Sequence, residues 1–190
     1  MITAILLAAG ESKRIPNENK LLKKFRGKPL INHILKSLIK SKVNKIIIVL
    51  GYDHIKIKKL ILKSKKITLI INRNYKKGIS SSIKLGLKKV SKNNKGFMIV
   101  QSDMPYIKSS HIDKIKTSIL KENKLVHALK YKNRLGNPIG FNIKVLNKFK
   151  KIKGDIGAKY MVKRLKRNTN FINVVSKKFF KDLDLKKDFN

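Results

Sequence analysis

Two hydrophobic patterns alternate along this chain. Short continuous apolar runs predict strands that are buried on both faces, whereas apolar residues spaced three and four apart predict amphipathic helices. The predicted strands span residues 2–7, 45–50, 67–71, 96–100, 125–131, 139–143 and 171–175. The predicted helices span residues 30–39, 53–62, 80–90, 109–120 and 155–165.

Polar residues predict where several of these elements begin or turn. We expect Asp53 to cap the second helix, Ser80 or Ser81 the third, and Ser109 or Ser110 the fourth. The tripeptide Gly136-Asn137-Pro138 predicts the turn between the fifth and sixth strands.

Strands that alternate with helices of ordinary length predict an α/β fold with a mainly parallel sheet and helices on both faces. In such sheets ligands bind at the carboxyl ends of the strands, where the strand order reverses. Residues 8–10, residues 80–82 and Asp103 each follow a predicted strand, so we expect them to meet at that edge. No linker or repeat interrupts the 190 residues, which predicts one domain over 1–190.

The first predicted strand ends in residues too small to block a ligand. Ala8, Ala9 and Gly10 follow the apolar run, and such a loop exposes several backbone N–H groups in one place. The cations Arg14 and Lys20 come next and could complete a pocket for phosphate oxygens. An ordinary strand followed by a turn is the alternative interpretation of this loop.

The net charge is extreme, with 48 Lys and Arg against 10 Asp and Glu, formally +38. Such a charge is typical of proteins that bind nucleic acid or acidic membranes. However, nearly all the cations are lysines, and they are spread through every segment. This distribution favours compositional bias and argues against nucleic-acid binding as the main role.

Several classes of protein are excluded by what the sequence lacks. There is no cysteine for disulfides or thiolate metal sites, and no apolar run approaches the roughly 20 residues that cross a bilayer. The N-terminus lacks the basic leader of a signal peptide, so we expect a cytoplasmic protein. The phosphate-binding loop of P-loop NTPases, the dinucleotide fingerprint and the serine-hydrolase elbow are also missing. The groups that remain are loop N–H groups, cations and a carboxylate that could hold a metal. Such groups are typical of phosphoryl or nucleotidyl transfer.

Because acids are scarce, a carboxylate in an apolar context is a candidate for chemistry. Asp103 follows an apolar strand and could hold Mg²⁺, although it could equally bond to its own turn. Asp182 and Asp184 would point the same way in an extended segment and could bind a cation or form a solvated tail. Asp155 could cap a helix or act in catalysis.

The serines at the start of the third helix are a further candidate. Hydroxyl and N–H groups of Gly78, Ser80, Ser81 and Ser82 could bind a phosphate or a base edge. Simple capping of the helix is the alternative, and the local pattern favours it.

A series of short motifs, each occurring once, follows a fixed order along nearly the whole chain. It consists of Leu7-Ala8-Ala9-Gly10-Glu11-Ser12-Lys13-Arg14, Lys20-Leu21-Leu22, Gly27-Lys28-Pro29-Leu30, residues 72–82, Ser102-Asp103-Met104-Pro105, residues 136–138, residues 154–158 and residues 182–189. This ordered set resembles the MobA-like NTP transferase family. The form Ala-Ala-Gly-x-Ser-x-Arg is most similar to the molybdenum cofactor cytidylyltransferases. Two departures are Ile15-Pro16, where that family usually has Met-Gly, and Ser102, which replaces a glycine.

The resemblance implies a Rossmann-like nucleotidyltransferase fold and a set of roles. Lys20, Arg14 and Asp103 would be catalytic, with Mg²⁺ on Asp103 and on Asp184 or Asp182. The nucleotide would be bound by Leu7, Ala8, Ala9, Gly10, Arg14, Lys20, Gly78, Ser80, Ser82 and Ser102.

We therefore hypothesise that CMP is transferred from CTP to molybdopterin with release of pyrophosphate, and that a molybdoenzyme is the partner served. Related alternatives are transfer from GTP or another NTP, and transfer to a sugar phosphate or methylerythritol phosphate. Alternatives of another class are a nucleic-acid-binding protein and a molybdopterin chaperone without transfer activity.

Overall fold

The helices and strands were located in a computed structural model. It describes residues 1–12, 15, 18–184 and 186–189, with the backbone alone at 186 and 187. The strands are β1 (Ile2–Ala8), β2 (Lys24–Phe25), β3 (Lys28–Pro29), β4 (Lys45–Leu50), β5 (Ile67–Ile71), β6 (Gly96–Gln101), β7 (Val126–Tyr131), β8 (Arg134–Asn142) and β9 (Thr169–Asn173). The α-helices are α1 (Leu30–Lys40), α2 (His54–Leu60), α3 (Ile79–Leu87), α4 (Ser109–Lys121) and α5 (Ala158–Arg164). Short 3₁₀ segments cover Tyr75–Lys77, Ile143–Lys151, Lys166–Asn168, Lys177–Phe180 and Lys186–Phe189.

Among the described residues, seven strands form one sheet in the order β5-β4-β1-β6-β8-β7-β9. Strand β8 runs antiparallel to β6 and β7, and the other pairs are parallel. The chain moves from β1 outward to β4 and β5, and then returns to place β6 on the other side of β1. The predicted α/β fold with a mainly parallel sheet is confirmed, and its strand order reverses between β1 and β6.

Alternate residues of β1 face opposite layers of helices. Ile2, Ala4, Leu6 and Ala8 pack into the core under α1, α2 and α4, whereas Ile5 and Leu7 pack under α3 and α5. The apolar run is therefore continuous because both faces of the sheet are covered. Helix α1 forms for the same reason, since its buried residues make a single stripe of Leu30, Ile31, Ile34, Leu35 and Leu38.

The predicted turn at Gly136-Asn137-Pro138 is wrong. These three residues lie within β8, where they stand opposite the single residue Leu129, because the pairing jumps from Ala128 with Ile139 to Lys130 with Leu135. The chain instead reverses between Tyr131 and Arg134. Glycine and proline break a strand ladder as readily as they form a turn, so the same residues fit a bulge.

Of the predicted helix caps, Asp53 is confirmed in position alone, and the serine caps are wrong. Asp53 stands at the N-cap of α2, but its side chain makes no capping hydrogen bond. Helix α3 begins after Gly78, which places Ser80 and Ser81 inside the helix. Lys108 rather than a serine precedes α4, and its N–H donates to His111 Nδ1 (3.1 Å).

The last helix and strand begin away from their predicted starts. Helix α5 begins at Ala158 and not at Asp155, and β9 begins at Thr169, two residues before the predicted strand. Within the part of the chain that the structure describes, no helix has both the length and the apolar character needed to cross a membrane.

Candidate active site

A cleft of about 410 Å³ opens at the carboxyl ends of β1 and β6, where the strand order reverses. Its walls come from the loop after β1, the residues after β6, the start of α3 and the segment after residue 181. The predicted site residues that line it are Leu7, Ala9, Gly10, Lys20, Gly78, Ser82, Ser102, Asp103 and Asp184. Residues from 7 to 184 thus converge on one place, and those that follow β1 and β6 do so because the ends of parallel strands meet at one edge.

Of the predicted site residues that the structure describes, three do not line this cleft. Ala8 points to the opposite face of the sheet and is 1% exposed, because side chains alternate along β1. Ser80 lines a separate cavity, and Asp182 is exposed to solvent. Arg14 lies outside the described residues.

The centre of the cleft is a lysine held between two carboxylates. Lys20 Nζ lies 2.6 Å from Asp103 Oδ2 and 2.5 Å from Asp184 Oδ1. Burial by itself would lower the pKa of Lys20, but the charges and hydrogen bonds of Asp103 and Asp184 outweigh it and raise that pKa. Lys20 is therefore an ammonium ion at neutral pH.

Two short segments fix the positions of these carboxylates. Asp103 accepts a backbone hydrogen bond on its carbonyl oxygen from Leu183 N (3.1 Å), and the Leu183 side chain is fully buried. The next residue, Asp184, donates its N–H to Asp188 Oδ2 (3.1 Å). The C-terminal segment is thereby fastened beside the end of β6.

The loop after β1 is fastened in a similar way. The Ser102 hydroxyl donates to the carbonyl of Leu7 (2.7 Å) and joins the ends of β6 and β1. Ser12, with a φ of 56°, turns the chain so that its hydroxyl accepts from Lys20 N (3.1 Å). Lys20 therefore starts from a fixed backbone position beside Gly10.

The start of α3 is capped by a distant part of the chain. Ile79 N donates to Asp155 Oδ1 (3.4 Å), and Ser80 N donates to the carbonyl of Gly154 (3.1 Å). Gly78 has a φ of +89°, and an added Cβ would lie 2.4 Å from the Gly154 carbonyl carbon. The close approach of these two loops requires glycine at 78. The hydrogen bonds to Asp155 and Gly154 also occupy the backbone N–H groups of Ile79 and Ser80, which are then not available to a phosphate.

The side chain of Asn72 organises the serines of α3. Its Nδ2 donates to Ser81 Oγ (2.8 Å) and to Ser82 Oγ (2.9 Å), and Asn72 is itself buried. The Ser81 hydroxyl lies 2.8 Å from the carbonyl oxygen of Gly78 and 3.0 Å from that of Asn74, and these two acceptors share its single proton. Of these two serines, only Ser82 lines the cleft.

Among the described residues, more acids than bases line the cleft, whereas the protein as a whole is strongly basic. Glu11, Asp103, Asp155 and Asp184 line it, and they are four of the ten acids in the chain. Of the described residues, Lys20 and Lys76 are the cations that line it. An acidic cleft in a protein of formal charge +38 favours a cation as part of the ligand.

The carboxylate pair fits a divalent cation that also binds a nucleotide. Asp103 Oδ1 is buried and has no hydrogen-bond partner. Within the described residues, no group of three or more His, Cys, Asp or Glu could hold a metal by itself. Mg²⁺ is usually held by one or two carboxylates together with substrate phosphates and water, and Asp103 and Asp184 are two such carboxylates.

Several cleft residues were missed in the sequence. They are Glu11, Ser12, Leu21, Tyr75, Lys76, Ile79 and Gln101. Six of them lie within the motifs quoted above, and Gln101 directly precedes the motif that begins at Ser102. Gln101 is the polar last residue of β6 and stands opposite Leu7. Its place at the end of an apolar strand was the available sequence signal.

The fold and the cleft define an α/β protein with an open cleft at the switch point of a mainly parallel sheet, where a lysine lies between two carboxylates. The chain belongs to the MobA-like NTP transferase family, whose model matches residues 4–169. This confirms the family that the ordered motifs predicted.

One curated relative is the bifunctional protein GlmU of Clostridioides difficile (strain 630). It is 27% identical over 154 residues, which make up 80% of this chain and 31% of GlmU. The chain therefore spans about a third of the length of that relative.

Solved structures share the fold over nearly the whole chain. Rv0371c from Mycobacterium tuberculosis H37Rv superposes with a TM-score of 0.84 at 19% identity, covering 99% of this chain and 94% of that one. The same protein has also been solved in complex with manganese, with a TM-score of 0.81 at 18% identity and coverage of 99% and 95%. The 4-diphosphocytidyl-2C-methyl-D-erythritol synthase of Anaerococcus prevotii DSM 20548 gives a TM-score of 0.78 at 17% identity and coverage of 99% and 92%.

Proposed function

We propose that this protein is a Mg²⁺-dependent nucleotidyltransferase that joins a nucleoside monophosphate to a phosphate acceptor and releases pyrophosphate. The observation that carries the proposal is the meeting of Asp103 and Asp184 across Lys20, beside the loop after β1. Membership of the MobA-like NTP transferase family supports the same class of reaction.

The carboxylates of Asp103 and Asp184 would hold Mg²⁺, which when bound neutralises charge on the triphosphate and on the attacking phosphate. Lys20 places a second positive charge in the cleft and would stabilise charge on the leaving pyrophosphate. Arg14, outside the described residues, is proposed to act on the same phosphates.

The walls of the cleft would hold the rest of the nucleotide. At Gly10 an added Cβ would meet no atom of the described residues within 4 Å, which leaves room there for a ligand to approach the backbone. Leu7, Ala9, Gly78, Ser82 and Ser102 surround that space and are proposed as nucleotide-binding residues. Ser102 would act through its bond to Leu7, which sets the shape of the loop.

We propose CTP as the donor and molybdopterin as the acceptor, in a cytoplasmic protein that serves a molybdoenzyme. The paired alanines before Gly10 support CTP, since the resemblance to the molybdenum cofactor cytidylyltransferases depends on them. Two structural neighbours are consistent with this donor: the diphosphocytidyl synthase described above, and a CMP-transferring synthetase that was solved with CTP.

Pyrophosphate release tests the proposal. The purified protein would be assayed with Mg²⁺ and each of the four common NTPs, against molybdopterin, a sugar 1-phosphate and methylerythritol phosphate. We expect release with CTP and molybdopterin and none without the metal. Release with GTP or with another acceptor would correct the substrates and leave the class of reaction standing. No release in any combination, together with salt-sensitive DNA or RNA binding, would contradict the class itself.

A further inference from the structure

The ammonium of Lys20 lies where a divalent cation that bridges Asp103 Oδ2 and Asp184 Oδ1 would bind. It contacts one oxygen from each carboxylate, at 2.6 Å from Asp103 and 2.5 Å from Asp184. Mg²⁺ requires its oxygen ligands at about 2.1 Å. A cation bridging the same two oxygens would overlap the ammonium, so the two cannot be bound together.

Lys20 is also the part of this cluster that can move. Asp103 and Asp184 are anchored through the main chain by the bonds to Leu183 N and Asp188. The anchor of Lys20 is at its backbone, through Ser12, and four carbon–carbon bonds separate that point from the ammonium. Because Lys20 lines the cleft, its side chain has open space into which it can move.

From these contacts we infer that Lys20 is the counter-ion of the metal site in the nucleotide-free protein, and that it exchanges with the divalent cation. This inference rests on the proposed function, since the triphosphate is the anion that would draw the ammonium away. Lys20 therefore weakens binding of the metal alone and couples metal binding to nucleotide binding. By thermodynamic linkage, each ligand strengthens binding of the other by the same factor.

The test is the affinity for Mn²⁺ without nucleotide, measured by the EPR signal of the free ion. The wild-type protein is compared with Lys20→Met and with Lys76→Met. Lys76 lines the same cleft, so its loss changes the net charge equally, and the structure gives it no contact with Asp103 or Asp184. We expect Lys20→Met to bind Mn²⁺ at least about tenfold more tightly than the wild type, a change of only about 1.4 kcal/mol. Lys76→Met should change the affinity much less.

Thermal unfolding gives a second readout that does not depend on catalysis. Without metal, Lys20→Met leaves two carboxylates facing each other and should melt below the wild type. Mn²⁺ should then raise its melting temperature by more than it raises that of the wild type. Asp103→Asn in the same background should abolish that gain. Lys20→Gln serves as a second uncharged variant if Lys20→Met does not fold.

Unchanged or weaker Mn²⁺ binding by both folded Lys20 variants would overturn the inference. Pyrophosphate release by the wild type separates this failure from a failure of the proposed function. Release without any gain in Mn²⁺ affinity would refute the exchange and keep the enzyme. A gain in affinity without release from any NTP would keep the exchange and refute the enzyme.

Discussion

Asp182 and Asp184 are two positions apart and have different surroundings. Asp184 lies in the cleft against Lys20, whereas Asp182 is exposed and does not line it. The sequence could not separate them, because both would point the same way in an extended chain. The buried side chain of Leu183 and the bond from Asp184 N to Asp188 decide which carboxylate enters the site.

The first prediction concerns this pair. Asp184→Asn should lower the rate of pyrophosphate release by about a hundredfold or more, since it removes one of two proposed metal ligands. Asp182→Asn makes the same chemical change outside the cleft and should leave the rate within about twofold. Equal rates for the two variants would remove Asp184 from the proposed metal site.

Other features of the site were predictable from single residues. Scarce acids in a basic chain pointed to Asp103, which lines the cleft, and small residues after β1 pointed to Ala9 and Gly10. Side chains alternate between the two faces of a strand, so a first predicted strand one residue longer would also have excluded Ala8 from the cleft.

At the scale of elements, strands were predicted better than helix ends. A strand buried on both faces is a continuous apolar run, and such runs are local in sequence. The start of α3 depends instead on Asp155 and Gly154, more than 70 residues away in sequence. A capping partner at that distance leaves no pattern near the helix.

A buried contact between α4 and β7 leads to a prediction about how stability depends on pH. His127 is fully buried, with Nδ1 paired with Ser118 Oγ (2.7 Å) and Nε2 with the carbonyl of Lys124 (3.1 Å). Burial lowers the pKa of His127 below the ordinary value of 6.5, against smaller opposing effects of Lys124 and Glu122.

Since the pKa is lower in the folded state, the unfolded chain binds more protons once the pH falls below about 6.5. Stability should therefore fall on acidification from about pH 7.5 to about pH 5.5, and His127→Gln should reduce that fall. His54→Gln, at the start of α2, is the control. Chemical denaturation at the two pH values measures the effect, and an identical fall in wild type and His127→Gln would contradict it.

At the scale of the whole molecule, the strand order could not be obtained from one sequence. The alternation of strands and helices predicted a parallel sheet. It did not predict that β6 lies beside β1, on the side away from β4. That arrangement brings Asp103 next to the loop after β1. The approach of Asp184 to the same point depends on packing over the whole chain, and only the resemblance of the terminal motif to the family indicated it.

The net charge of +38 leads to a prediction of its own. Like charges spread over the surface repel one another in the folded state, and salt screens them within about 10 Å at 0.1 M. The melting temperature should therefore rise by several degrees when sodium chloride is raised from about 0.02 M to about 0.5 M. Calorimetry measures this directly, and a melting temperature that falls over that range would show that attractive pairs dominate instead.

The most direct test of the account is a crystal structure of the protein with CTP and Mn²⁺, with the metal located by its anomalous scattering. We predict one Mn²⁺ bound by Asp103 and Asp184, the triphosphate beside Gly10, and the Lys20 ammonium moved from the carboxylates to the phosphates. A nucleotide bound away from this cleft, or a metal that contacts neither aspartate, would contradict the account.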